Sequence, residues 1–360
     1  MAKTLKVGII GASAGRGWAK VSHVPAVQKL AGLELAAVAT NSRKSADEAA
    51  EAFGVTGYAD AEELIRDPSI DIVTVAVKVP DHRALLHSAI AAGKHVYCEW
   101  PLGRNLAEAE ELADAAGVKA AIGLQTRANP YARRARDLIA SDAIGRVLSA
   151  CVLSTTMAFG PNVEAAMAFG EQAENGVTLV TIQGAHTIDL AIAVLGELDA
   201  AAALAAIQYP QVKIEGDAKP QTRSTPDHIL LQARLANGAA LSAEVAGGRP
   251  PEATPFRLEV TGETGEIVLE GGAVRGFQSG RLRLLLNGEA QQVDEGEVTD
   301  MPDEAANVAG VYAELRDDIA HGTATAPGFD HAVRLTRLID DLLASSQTGT
   351  RKPAAGWPRQ

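Results

Sequence analysis

An α/β fold in two domains is what this sequence predicts. A doubly wound parallel sheet is expected over residues 1–126, followed over 127–360 by an α+β domain built on a large, mostly antiparallel open sheet. Three observations carry that expectation. Up to about Gln125, short apolar runs alternate with helical stretches, the pattern of a parallel sheet covered by helices. Beyond Pro130, strand-like runs follow one another through turns such as Asn237-Gly238 and Asn287-Gly288, the pattern of an antiparallel sheet. A length of 360 residues, 47% of them apolar, is enough to bury two cores.

The elements follow in order. Val7 to Ile10, Leu33 to Ala39, Ile72 to Val77, His95 to Cys98 and Ala120 to Leu124 read as buried strands, because they are aliphatic runs too short for helices. Helices are expected over Ser45 to Phe53, Ala61 to Arg66, Asp81 to Ala92 and Asn105 to Ala116, with Gly54, Gly93 and Gly117 placed to end three of them. In the second part, Tyr131 to Ser141 is a basic amphipathic helix, Val147 to Thr156 a strand and Val177 to Leu195 a largely apolar helix. Strands dominate from about Ala202 to Val293, and helices near Glu304 to His321 and His331 to Ser346 precede a polar tail.

Composition excludes some partners. A net charge of −12 opposes nucleic acid, whose binding needs clustered Lys and Arg to neutralise phosphates. Cys98 and Cys151, both in apolar stretches, read as buried thiols of a reducing compartment rather than as a disulfide. No signal-peptide core follows Met1, and no apolar run reaches the length of a membrane span, so a cytoplasmic protein with no membrane partner is expected.

The first strand leads into Gly11-Ala12-Ser13-Ala14-Gly15-Arg16-Gly17-Trp18, where small residues let the backbone approach a pyrophosphate ahead of a helix N-terminus. This is the Rossmann arrangement for NAD or NADP, in an irregular spacing. An acid at the end of the second strand would favour NAD. Thr40-Asn41-Ser42-Arg43-Lys44 has none and carries two cations, which tips the expectation slightly towards NADP.

Further blocks support a resemblance. Gly93-Lys94-His95-Val96-Tyr97-Cys98-Glu99-Trp100-Pro101, Gly17-Trp18-Ala19 with His23 and Pro25, Leu124-Gln125 with Arg127 and Pro130-Tyr131, and Gly176-Val177 leading to His186-Thr187-Ile188-Asp189 occur in this order. With them the chain resembles the glucose-fructose oxidoreductase, inositol dehydrogenase and rhizopine-catabolism family, in the branch that contains the fungal galactose-regulon repressor. The resemblance implies NAD or NADP held by Gly11, Ser13, Gly15, Arg16, Gly17, Trp18, Thr40, Asn41, Ser42, Arg43, Val77, Lys78, His82, Glu99, Trp100 and Gln125. It also exposes departures. The family's Glu-Lys-Pro falls on Glu99, Trp100 and Pro101, so its proton-transferring lysine is an indole here. The family's Thr-Pro-Asn falls on Val77, Lys78 and Val79, and the Asp expected four residues before its catalytic His falls on Ile182.

Oxidising a secondary alcohol needs a base for the hydroxyl proton, and a histidine titrating near pH 6.5 suits that task. His186 is the first candidate, with Asp189 one helical turn on to orient it, and Lys78 and Tyr131 as further candidate catalytic groups. Trp100, Arg127 and Gln183 are expected beside His186 at the substrate, Arg127 as the partner of an anionic group and Gln183 of a sugar hydroxyl. Three readings remain open: a sugar or polyol oxidoreductase, a redox-neutral glycosidase acting on an anionic glycoside such as a sulfosugar, and a catalytically silent sensor. The open sheet is expected to expose a broad apolar face and so to favour a homodimer or homotetramer.

Overall fold

The computed structural model describes residues 3–350 and 352–353, so most of the expected polar tail lies outside the described residues. The chain forms two compact units: residues 1–125 together with 295–333, and residues 126–294 together with 334–360. The second predicted domain is therefore interrupted, because 295–333 joins the first unit. The physical reason is a helix within that segment, given below, whose tyrosine is buried in the first unit's core.

In the first unit β1 (Leu5–Ile10) leads through the glycine loop to α1 (Trp18–Val21) and α2 (His23–Lys29). Then come β2 (Leu33–Ala39), α3 (Arg43–Phe53), β3 (Thr56–Tyr58), α4 (Ala61–Arg66), β4 (Ile72–Val75), α5 (His82–Ala91), β5 (His95–Cys98), α6 (Leu106–Ala115) and β6 (Ala120–Ile122). The strands form one parallel sheet in the order β3-β2-β1-β4-β5-β6. This order reverses direction beside β1, and a doubly wound sheet opens a crevice at that point. Residues of β1 and β4 are almost all buried, as strands covered by helices on both faces must be.

Local chemistry sets the boundaries. Ser42, Asp60 and Asn105 cap α3, α4 and α6 by accepting from backbone N–H groups of the first turn. Gly54 and Gly93 adopt the left-handed conformation that ends a helix, whereas Gly117, expected to do the same, is absent from the positive-φ glycines. The helix that follows the glycine loop is broken at Ser22 into α1 and α2. Pro25 explains the break, since its ring blocks and its missing N–H vacates the bond to Val21. The three-residue β3 carried too little apolar pattern to be anticipated.

The second unit begins with α7 (Pro130–Ala140), β7 (Val147–Thr155) and β8 (Asn162–Val163). The apolar helix expected over Val177 to Leu195 is a π-helical turn at Val180–Gly184 continued by α8 (Ala185–Leu195). Strands β9 (Leu198–Ala206), β10 (Gln211–Ile214), β11 (Gln221–Thr222), β12 (His228–Leu235), β13 (Ala240–Ala246), β14 (Phe256–Gly262), β15 (Glu266–Gly271), β16 (Leu282–Leu286) and β17 (Glu289–Ala290) follow. Next are α9 (Asp303–His321), which belongs to the first unit, then α10 (Phe329–Thr348) and β18 (Lys352–Pro353).

A nine-stranded sheet runs β17-β16-β15-β14-β7-β13-β12-β9-β18, antiparallel except where β13 meets β7. Asn287-Gly288 makes the β16–β17 turn with both residues at positive φ, as a two-residue hairpin requires. Helices α7 and α8 pack on this sheet, and α8 is buried at every position but Ala193.

Three expectations need correction here. Residues 173–195 do have the length and hydropathy of a membrane span, yet 78% of that window is buried inside the fold, as a core helix is. Cys151 is exposed on β7 rather than buried, because strand alternation turns it outward; Cys98 is buried, and neither is in a disulfide. The open sheet face is not broadly apolar either. A groove of about 610 Å³ on it mixes Ser149, Gln232, Arg234, Ser242 and Glu259 with Ala150, Ala233, Ala240 and Leu241, and exposed Leu148, Leu204 and Leu230 stand on the strands.

A small sheet, β11-β10-β8, is held to the second unit by one buried cation. All five N–H donors of Arg223, which is 3% exposed, are used: on Glu171, Asp227, and the carbonyls of Phe159 and Gly160. Removing one partner from such a buried ionic cluster leaves uncompensated charge and costs about 3–5 kcal/mol. Arg223→Ala should therefore lower unfolding free energy by about that amount, with faster amide exchange concentrated in residues 157–176. Chemical denaturation and hydrogen exchange read out both.

Candidate dinucleotide site

The first unit's crevice holds a cavity of about 470 Å³ at the carboxyl ends of β1, β2 and β4, lined by Gly11, Ser13, Thr40, Asn41, Asp60, Val77 and Lys78 among others. Its floor depends on Gly11. With φ +100 and a would-be Cβ only 2.4 Å from the Ala76 carbonyl oxygen, no other residue fits there. Gly17 also has positive φ, at +119. Gly15 is different: it has no such φ, and a Cβ on it would meet nothing within 4 Å. The space beside residue 15 is open. Lys20, which sequence reasoning passed over, stitches the loop by donating to Ala14 O at 2.5 Å.

The cations expected to favour a 2′-phosphate are turned elsewhere. Arg43 donates to Asp47 and to Gly57 O, and Lys44 lies 4.0 Å from Glu48. Ser42 is occupied in capping α3. Asp60, not anticipated, brings a carboxylate to the cavity lining while its Oδ1 caps α4. The lining thus carries Asp60 and Asp81 beside Lys78, while Arg43 and Lys44 are engaged elsewhere.

Past β4 and β5, His82 is 1% exposed, with Nδ1 2.9 Å from Pro101 O and Nε2 3.1 Å from Val77 O. The neutral ring has one N–H, so it donates to one of these carbonyls and lies wedged between the loops that carry Val77–Lys78 and Glu99–Trp100. Its ring faces backbone carbonyls, so its part is to position those loops rather than to touch a ligand. Burial pushes its imidazole below the ordinary histidine value. Trp100 is buried, joined to Pro101 by a cis peptide, and Glu99 accepts from or shares a proton with His23 Nε2 at 2.9 Å. Arg16 is exposed on the glycine loop and Trp18 half-buried behind it, with a buried indole N–H that meets no partner among the described residues. Gln125, at the end of this unit and 2% exposed, carries a buried Oε1 in the same condition. The glycine-floored cavity at the switch point of a parallel sheet fits a dinucleotide.

The second unit carries the other candidates. His186 is 5% exposed on α8, and Asp189, 2% exposed, accepts from Arg127 Nη1 at 3.0 Å. The expected arrangement is altered in two ways. Arg127, proposed for an anionic substrate, has a carboxylate partner within the protein. Gln183, proposed for a sugar hydroxyl, is 1% exposed and donates to Ser154 Oγ at 2.9 Å, because it lies inside the π-helical turn and faces β7. Thr187 Oγ1 completes the network, 2.8 Å from Ser154 Oγ and 2.7 Å from Gln183 O. Tyr131 stands at the start of α7, its N–H donated to Asn129 Oδ1. Among the described residues no group of three His, Cys, Asp or Glu is placed to hold a metal.

Comparison with known proteins agrees with this division. Residues 5–125 match the oxidoreductase family described by its NAD-binding Rossmann fold, and residues 130–271 match the C-terminal domain of Gal80p. The chain is 30% identical to the dehydrogenase aclE of Aspergillus oryzae, across 97% of this chain and 98% of that protein. It is 27% identical to the galactose/lactose metabolism regulatory protein of Kluyveromyces lactis, across 75% of this chain and 65% of that one. The fold is that of a super-repressor mutant of Gal80p from Saccharomyces cerevisiae, with a TM-score of 0.86 at 23% identity over 98% of each chain. It is equally that of levoglucosan dehydrogenase in complex with NADH and levoglucosan, with a TM-score of 0.80 at 22% identity over 97% and 98%.

Two tests follow from this geometry. Gly15→Ala should leave the thermal midpoint within about 2 °C, since the added methyl meets open space, and raise the NAD dissociation constant about tenfold or more by calorimetry, each tenfold being about 1.4 kcal/mol. For His82, a depressed folded pKa means that the unfolded chain binds a proton first. Its stabilising part is complete above about pH 6.5 and drains as pH falls towards the folded value, by up to about 1.4 kcal/mol per pH unit. His82→Gln should flatten the loss of stability between about pH 7.5 and 5.5, leaving the slope due to the similarly depressed, half-buried His95.

Proposed function

The chain belongs to the glucose-fructose oxidoreductase, inositol dehydrogenase and rhizopine-catabolism family, and from that premise we propose that it is an NAD-dependent oxidoreductase acting at a secondary hydroxyl of a sugar, polyol or related carbinol. The observation that carries this reading is the glycine-floored cavity at the sheet's switch point, in a chain alike from end to end to a dehydrogenase. Bound there, NAD supplies the hydride acceptor. Gly15 and Gly17 would admit its pyrophosphate; Thr40, Asn41 and Asp60 would face the adenosine ribose; and Gln125 Oε1 would accept from the carboxamide.

His186 is assigned the hydroxyl proton, as the titratable base that the family pattern retains. Asp189 lies one turn on along the same helix and, paired with Arg127, would orient the imidazole rather than supply net charge. Trp100 has no proton to trade, so Lys78 on the cavity lining and Tyr131 on α7 are the other candidates. Arg127 is paired with Asp189, which leaves the choice of an anionic glycoside with less support than the choice of a neutral carbinol. A cytoplasmic setting agrees with the two free thiols, and a homodimer or homotetramer would cover the leucines Leu204 and Leu230, which pair across β9 and β12.

A second reading is a catalytically silent NAD-binding regulator. Trp100 in the lysine position and Ile182 in place of the expected Asp favour it, as does the likeness of residues 130–271 to the Gal80p C-terminal domain.

One experiment separates these. Purified protein is incubated with NAD or NADP and a panel of sugars, polyols and aryl or sulfo-glycosides, while nicotinamide absorbance and released aglycone are followed together. Net NADH formation, reduced about 10²- to 10⁴-fold in His186→Ala, is the expected result. Aglycone release without net reduction would turn the assignment to a redox-neutral glycosidase. Silence in both channels with measurable NAD binding would turn it to the regulator.

A further inference from the structure

A buried polar chain crosses the first unit, and the site just described does not use it. Thr74 Oγ1 on β4 lies 2.7 Å from Tyr312 Oη on α9; Tyr312 Oη lies 2.9 Å from His23 Nδ1 on α2; and His23 Nε2 lies 2.9 Å from Glu99 Oε1, just past β5. Thr74, His23 and Tyr312 are all wholly buried. Tyr97 stacks on Tyr312 with ring centroids 4.6 Å apart and stands edge-on to His23 at 5.0 Å, walling the chain off from water. Each polar atom therefore depends on the next, because an unmet buried donor or acceptor is costly.

The protons can be counted. In the tautomer that donates from Nε2 to Glu99, His23 accepts at Nδ1 from the Tyr312 hydroxyl, whose oxygen accepts from Thr74. Every link is then satisfied in one direction. Burial pushes the Tyr312 phenol well above the ordinary tyrosine range, so its hydroxyl keeps the proton this direction requires. At the far end the Glu99 carboxylate has little room, since a Cβ on Gly123 would come within 2.8 Å of Oε1.

The ends of this chain are informative. Thr74 stands two residues before Ala76 and three before Val77, both of which line the dinucleotide cavity. His23 is the first residue of α2, the continuation of the glycine loop, and Glu99 immediately precedes Trp100. We propose that Thr74, Tyr312, His23 and Glu99 form a positioning relay that fixes the glycine loop, the end of β4 and the turn after β5 relative to one another, so that Tyr312 governs dinucleotide affinity without touching the ligand. The proposal rests on the cavity being the NAD site and not on any substrate being oxidised.

The test is calorimetric titration of NAD into the full-length protein and four variants, with a thermal midpoint for each. Tyr312→Phe keeps the ring and removes only the hydroxyl; Thr74→Val removes the hydroxyl at the other end of the chain, and Thr74→Ser keeps it. Leu112→Ala, in the buried core on α6, is the control for simple destabilisation. The relay predicts that Tyr312→Phe and Thr74→Val weaken NAD at least tenfold, that Thr74→Ser stays within threefold of the parent, and that Leu112→Ala lowers the midpoint at least as much as Tyr312→Phe with affinity within threefold. NAD binding by Tyr312→Phe within twofold of the parent would overturn the relay alone, as would an equal loss of affinity in Leu112→Ala. Absence of NAD binding by the parent would overturn the cavity reading and the relay with it.

Discussion

The approach of the glycine loop to the Ala76 carbonyl is the constraint on which the rest of the first unit depends. At 2.4 Å from where a Cβ of residue 11 would lie, that oxygen forbids any side chain, and the loop can leave β1 only because there is none. This closeness places Gly11 and Ala76 on one cavity wall at the point where strand order reverses. Other features then serve to keep the neighbouring loops still. Lys20 holds the loop carbonyl of Ala14, Asp60 caps α4 at the rim, and His82 lies wedged between the loops after β4 and β5.

Much of this was legible in the sequence. Strands Leu33–Ala39 and His95–Cys98 and helix Ala61–Arg66 fall where the apolar pattern put them, because buried parallel strands are uninterrupted aliphatic runs and helix caps are local. What local pattern does not carry was missed. Tyr312 lies more than two hundred residues from β4 and β5, and no periodicity announces that its helix belongs with them. The π-helical turn at Val180–Gly184 was hidden for a related reason: it has the composition of the helix it interrupts. Side-chain pairing was least legible of all. Arg127 in sequence is an available cation, and only in space does it meet Asp189.

That pairing changes how the chemistry is read. Buried carboxylates are seldom left alone, and Asp189 takes its counter-charge from Arg127, whose side chain is far less buried than its own. A guanidinium held in this way keeps its shape but has fewer donors for a ligand. Trp100 places a buried indole, with no titratable proton, beside Glu99.

The division of the chain has a further consequence, for inheritance and for engineering. Its boundaries fall after residues 125, 294 and 333, so the backbone passes between units three times. A single recombination crossover or truncation after residue 125 would carry away the sheet and leave behind Tyr312 and the helix that seats it. The nucleotide-binding unit is therefore not a cassette that one splice can transplant. Shuffling with relatives would succeed only when both segments travel together, or when the recipient brings its own helix with an equivalent phenol.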